Sequence, residues 1–436
     1  MSPVSRGIDR LSVTFDEPGL VANAGLLLTS TLVLRLGLED LIDATVKMRG
    51  VTGGARPGRK VVTLVASMLA GGSHIDHADV LRSGSTTEVL THQVMAPSTL
   101  GTFLRAFTFG HVRQLDAVLA RAIGAAWSLG AGPGSSRLVV DIDSTICEVC
   151  GKDKGGAGYG YTKVLGYHPI LATRADTGEI LHARMRKGAA NTQRGTKRFV
   201  EELVARVRRC GATGELVMRF DSGFWSNDTI SVLVRKGVHF TMGVRMVKAV
   251  RGAIAQIGEE AWRPIDYSCE GEAQVAECDY KGRRLIVRRT GLTDPAQATL
   301  WPDWRHFAFV TDLGGDAVEL DAFHRHHAVV ELAIKDVKEG AGLEHIPSGK
   351  FFANSAWLVC AVLAHDLLRW TAMLGEITAT GHFTVARTVR TRFISVPARL
   401  VNRSGVATLR APQRWPWREE FQRALTLLRA LPRVPI

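Results

Sequence analysis

The sequence predicts an α/β protein: a mixed sheet with flanking helices, led in by an all-helical stretch and closed by a basic tail. Three observations carry that expectation. Between Arg137 and Met246 the apolar pattern switches back and forth between the period of a strand and that of a helix. Acidic residues recur at the ends of these predicted elements, at Asp141, Asp143 and Asp221, with Glu331 on a later helix. The formal charge of +13 is concentrated: residues 381–436 hold eleven Arg, no Lys and two Glu, whereas the first 130 residues hold twelve basic and ten acidic groups.

Taken in order, residues 1–130 read as a helical region suited to DNA binding or dimerisation. RKVVTLVASMLAGG has helical spacing and a glycine stop, Ser98 stands where it could cap TLGTFLRAF, and HVRQLDAVLARAIGAAW makes a longer helix. Short helices with tight turns fit a helix-turn-helix arrangement or any small bundle. GAGPGSS at 130–136 reads as a linker. Residues 137–247 then give strand RLVVDIDSTI, strand YHPILATRA, a turn at Asp176-Thr177-Gly178 and strand EILHARMR. Helix TKRFVEELVARVRRCG, strand GELVMRFD, helix SNDTISVLVRKG (capped by Ser226 or Asn227) and strand VHFTMGVRM follow. This β-β-β-α-β-α-β order is that of a ribonuclease H-like core. Residues 248–313 alternate as antiparallel strands and read as a β-rich insertion. Residues 314–380 return to the core with the Glu331 helix and the buried helix FFANSAWLVCAVLAHDLLRWTAML. Residues 381–436 form an Arg-rich C-terminal region with a hairpin turning near Asn402–Gly405 and a closing helix REEFQRALTLLRAL.

Composition narrows the classes of function. With 46% apolar and 22% charged residues the chain reads as globular and soluble. AWLVCAVLAHDLLRW is short for a membrane span and contains His365 and Asp366, and the first residues lack the apolar stretch of a signal peptide. A cytoplasmic protein without membrane contact is expected. Six cysteines do not make a disulfide scaffold; Cys147 and Cys150 form one C-x-x-C, which Cys269 and Cys278 could complete only as an unusual zinc site. The net charge points to a polyanionic partner. Beside the tail, an acid-free run supplies Arg184, Arg186, Lys187, Arg194, Lys197 and Arg198 as candidate phosphate contacts, joined by Arg399, Arg403 and Arg410 of the hairpin.

Asp141 and Asp143 are two apart on a strand and so share a face. In the predicted order the first and fourth strands are neighbours, which places Asp221 beside them, and the Glu331 helix packs across. Three converging carboxylates offer hard oxygen ligands suited to two Mg²⁺ (or Mn²⁺) ions and phosphodiester chemistry. His324, His327, Glu331 and Lys338 recur at helical spacing, so one continuous helix would present them on one face. By itself that spacing also fits an ordinary solvated face.

Together LVVDIDST, RFDSGFW and VELAIKDVKEGAGLEHIPSGKFFANSAW resemble bacterial insertion-sequence DDE transposases of the group related to piggyBac elements. The resemblance spans most of the chain. It implies a cut-and-paste transposase, cytoplasmic and nucleoid-associated, that hydrolyses and transesterifies double-stranded DNA at terminal inverted repeats, acting as a homodimer in the synaptic complex. It places the catalytic and metal-binding residues at Asp143, Asp221 and Glu331, with Asp141 as the alternate first carboxylate. In the family's Y-x₂-R-x₃-E-x₆-K signature, Glu331 and Lys338 match the Glu and Lys, so Lys338 takes a DNA phosphate. His324 stands where Tyr is usual and His327 where Arg is usual; both remain DNA-contact candidates with open roles. A ribonuclease H-like nuclease without strand transfer, and a non-catalytic DNA-binding descendant, are the competing expectations.

Overall fold

In β1 (Leu138–Ser144), Val140 and Ile142 share one face, while Val139, Asp141 and Asp143 occupy the other. That alternation decides which side of the sheet carries chemistry. The computed structural model describes residues 11–151, 153–160, 162–267, 272–291, 304–377 and 384–435. The first ten residues and Cys269, and with it the suggested Cys269–Cys278 pairing, lie outside them.

β2 (Ile170–Arg174) and β3 (Ile180–Arg184) form an antiparallel hairpin on one side of β1. On the other side β4 (Leu216–Phe220) and β5 (His239–Gly243) run parallel to it. Four further strands, β6 (Arg263–Ile265), β7 (Ala273–Asp279), β8 (Arg284–Gly291) and β9 (Trp304–Thr311), follow as an antiparallel set. They lengthen the same sheet, because β9 pairs with β5 through Phe309↔Gly243 and Thr311↔Thr241. The order is β6-β7-β8-β9-β5-β4-β1-β2-β3.

Five helices precede the sheet: α1 (Leu26–Arg35), α2 (Leu38–Thr45), α3 (Pro57–Leu69), α4 (Pro97–Arg105) and α5 (Phe109–Ala126). Helix α4 begins one residue before the expected cap: Ala96 is the N-cap and Pro97 the first helical residue, where its missing N–H costs nothing. Helices α6 (Thr196–Arg209) and α7 (Asn227–Arg235) share a core with Val140 and Ile142. Ser226 caps α7 by accepting from the Thr229 amide at 3.3 Å. After the short α8 (Lys248–Ile254), α9 (Ala317–Arg325) and α10 (Val329–Gly340) cover the opposite face, where Val217, Val275, Ile286, Phe309 and Leu320 form a second, smaller core.

The expected single helix through His324 and Lys338 is interrupted by a 3₁₀ turn at His326–Ala328. At this break the Arg219 guanidinium donates to the carbonyls of Phe323 and His326 at 2.6 and 3.3 Å.

Helix α11 (Phe351–Leu374) is 24 residues long, enough by length and composition to cross a membrane. Its length therefore does not exclude a span, contrary to the sequence expectation. Burial accounts for its apolarity instead: 89% of its most apolar window lies inside the protein. N-terminal helices pack on one side of it and β3 on another, so the helical region and the sheet share one continuous core. The chain ends are interleaved. Leu20–Val21 pairs with the strand Ala398–Arg403, whose hairpin partner is Val406–Arg410. After the short α12 (Ala386–Val389), α13 (Arg418–Ala430) packs on α1.

Two carboxyls are enclosed between β3 and α11. Glu179 accepts from the indole nitrogens of Trp127 (2.9 Å) and Trp370 (2.7 Å). Asp366 accepts from the Ile180 amide at 2.8 Å, and its other oxygen has no partner. Burial, reinforced by the negative charge of Glu179, holds Asp366 well above its ordinary value of 3.8. An acid raised in the folded state contributes stability at low pH, and that contribution is lost as pH rises through the folded value. Asp366→Asn is therefore expected to match or exceed the wild type at pH 8, by about 1–3 kcal/mol. Scanning calorimetry across pH should show the wild type losing stability as pH rises above the ordinary carboxyl value of 3.8, with a slope that the variant lacks.

Candidate active site

Parallel pairing sets the site. The β1–β4 register aligns Asp141 with Arg219 and Ile142 with Phe220, so Asp143 and Asp221 lie one residue beyond, at adjoining strand ends. Gly243 ends β5 against this corner; a Cβ there would sit 2.7 Å from the Ser222 nitrogen, so only glycine lets the Asp221 turn settle. Glu331 enters from the first turn of α10, and Lys338 follows two turns later on the same side. All four line one open cleft of about 1320 Å³. Lys338 also donates to the Ile146 carbonyl at 3.1 Å, which anchors its ammonium at the end of β1.

The two candidate first carboxylates are in different situations. Asp141 is 1% exposed, and both its oxygens are held by Arg219 at 2.7 Å. One of them also meets His327 Nδ1 at 2.7 Å. Asp143 opens into the cleft and, among the described residues, accepts only from its neighbour's amide, Ser144, at 2.6 Å. Burial pushes the Asp143 carboxyl up to about 6, with Asp221 and Glu331 adding to the rise and His327 opposing it. The carboxylates therefore repel one another across the cleft, a repulsion that a divalent cation would relieve. Among the described residues no three His, Cys, Asp or Glu side chains stand close enough together to hold a metal ion.

His324, a DNA-contact candidate with an open role, is buried beside the cleft. Its ring stacks on Phe309 at 4.2 Å and meets the Thr241 hydroxyl at 2.7 Å. Burial, then the neighbouring His327, Arg219 and Arg288 side chains, lower its pKa well below 6.5. His327 lines the cleft while tied to Asp141.

The basic run divides. Arg186 is only 8% exposed and donates to the carbonyls of His168 (2.8 Å), Asn191 (3.3 Å), Thr192 (2.7 Å) and Arg194 (3.2 Å). Its guanidinium is thus engaged with the carbonyls of its own loop and of His168. Arg184 pairs with Glu202 and lies over the Phe199 ring. Arg198 reaches the same glutamate at 3.0 Å. Lys187, Arg194 and Lys197 are exposed. The loop they belong to abuts the Asp221 turn, with Gln193 donating to the Trp225 carbonyl at 2.7 Å. In the hairpin Arg399, Arg403 and Arg410 are all exposed, Arg399 pairing with Glu17 at 3.1 Å. Cys147 is buried, Cys150 is exposed, and both are free thiols.

Sequence reasoning missed the cleft's opposite wall. Arg288, Arg305 and Arg325 face the carboxylates from β8, β9 and α9. Asp321 holds Arg288 at 2.9 Å and Arg325 at 2.8 Å, and Phe307, 39% exposed, lies between Arg288 and Arg305. The signal was present as Arg305 among the aromatics of WRHFAF and as the paired arginines that flank the apolar centre of RRLIVRR.

A family profile described as Transposase DDE domain group 1 matches residues 6–433. No curated protein matches the sequence. Among solved structures, a piggyBac transposase synaptic complex with hairpin DNA is similar at 11% identity and a TM-score of 0.47, over 84% of this chain and 78% of that one.

Proposed function

The chain belongs to the transposase DDE domain group 1 family, and from that membership and the cleft we propose a cut-and-paste DNA transposase. The reading rests chiefly on one observation: Asp143, Asp221 and Glu331, from three separate elements, line one cleft with Lys338. The order β3-β2-β1-β4-β5, with β2 alone antiparallel to both its neighbours, supports a ribonuclease H-like core around it.

In this reading Asp143, Asp221 and Glu331 hold two Mg²⁺ (or Mn²⁺) ions. Bound there, such ions activate an attacking oxygen and stabilise the departing one. Lys338 holds a phosphate near the scissile bond, and the arginine wall steadies the strand across the cleft. Cleavage frees a 3′-hydroxyl at the element end; that oxygen then bonds to a target phosphorus as the target's own 3′-oxygen leaves. Terminal inverted repeats and target DNA are the substrates, and bringing two ends together calls for at least a dimer on DNA.

Purified protein with a duplex carrying one element end is expected to cut it in Mg²⁺ and not in EDTA; equal cutting in both would overturn the metal reading. Inverted repeats flanking the gene, bordered by a short target duplication, are the matching genomic expectation. A nuclease without strand transfer would cut but never join the end to a second DNA.

Arg194→Ala and Lys197→Ala are each expected to reduce the slope of log affinity against log salt by about 1. Arg186→Ala is expected to leave the slope unchanged and lower the melting temperature, because its cation holds carbonyls rather than phosphates. Filter binding across a salt series, beside a thermal melt, separates the two behaviours.

A further inference from the structure

Asp141 and Arg219 form a saturated, buried pair directly beneath the cleft. Both carboxylate oxygens accept from the guanidinium at 2.7 Å, and Asp141 is 1% and Arg219 3% exposed. The rest of the guanidinium reaches up to α9 and the 3₁₀ turn through the Phe323 and His326 carbonyls. It also lies 5.0 Å from the Phe323 ring centre. His327, in that turn, returns to Asp141 at 2.7 Å. Two of these contacts fall on the three-residue break that separates α9 from α10, and two on Phe323, three residues before it. Glu331 lies in the first turn after it.

Buried ion pairs add little net stability over apolar side chains of the same volume; their better-attested use is to fix one arrangement among several. Here the arrangement fixed is the rotation of α10. An uninterrupted helix would turn Glu331 to a different direction, since a residue of a 3₁₀ turn advances the phase by about 120° and an α-helical one by about 100°.

We propose that Asp141 and Arg219 are positioning residues, a latch that breaks the helix at His326–Ala328 and so aims Glu331 at Asp143 and Asp221. Asp141 is not a metal ligand in this account, because both its oxygens are already taken. The inference rests on the metal-binding reading above.

The test is Mn²⁺ binding by the full chain, followed by electron paramagnetic resonance, with Glu331→Gln as the reference. Asp141→Asn and Arg219→Gln are each expected to weaken Mn²⁺ binding about tenfold or more, with DNA binding in EDTA unchanged. The double variant, whose two amides can pair, is expected to regain part of that affinity. Wild-type Mn²⁺ affinity in Asp141→Asn, with loss in Glu331→Gln, overturns the latch alone. Loss of one bound Mn²⁺ in Asp141→Asn, with the other unaffected, makes Asp141 a ligand and also overturns it. Unchanged binding in Glu331→Gln overturns the metal reading and the latch together. Should Arg219→Gln not fold, the isosteric Asp141→Asn carries the test.

Discussion

Asp143→Asn, Asp221→Asn and Glu331→Gln are each expected to lower Mg²⁺-dependent cleavage of an end-bearing duplex by on the order of 10²–10³-fold. Each replacement keeps the shape of the side chain and removes one negative charge from a cleft where three carboxylates face one another. The loss should fall on the chemical step, with DNA binding in EDTA retained or improved, because removing an acid eases the approach of phosphates. Single-turnover cleavage beside a gel-shift titration in EDTA checks both halves. A variant that cleaves at the wild-type rate would remove that residue from the site.

Trp370→Ala is expected to destabilise the fold by about 3–5 kcal/mol, the largest stability effect anticipated here. The indole is wholly buried in α11, so its removal leaves a cavity in the shared core. It also withdraws one of two indole donors from Glu179, a carboxyl raised chiefly by its own burial. Trp370→Phe retains most of the volume and loses only the donor, so about 1–3 kcal/mol is expected. Denaturant unfolding of the three proteins orders them; equal midpoints for Phe and wild type would show that the Glu179 contact contributes nothing.

Much of the site was legible because strand and helix periods are short-range properties. The two-residue repeat put Asp141 and Asp143 on one face, and the end of GELVMRFD delivered Asp221 to the neighbouring strand end. What escaped depended on partners far along the chain. Asp141 and Asp143 were indistinguishable until Arg219, opposite Asp141 in the register, occupied one and left the other to the cleft. The helical repeat through His324 to Lys338 concealed a break, at which that same arginine meets the His326 carbonyl. Arg186 looked like its basic neighbours, yet its backbone position turned it inward onto four carbonyls. His324 is stacked on Phe309, which approaches from a strand in the β-rich segment. That segment's antiparallel character was readable; its attachment to the β5 edge, which swings the arginine wall over the carboxylates, was not.

The central claim, that this cleft both cuts an element end and transfers it, is tested most directly in one reaction. A labelled duplex ending in the element's inverted repeat is incubated with the protein, Mg²⁺ and a supercoiled plasmid, and the label is followed. Label covalently joined to the plasmid with wild-type protein, and none with Asp221→Ala, is the predicted result. Cleavage without joining by the wild type, or joining that persists in Asp221→Ala, would contradict the account.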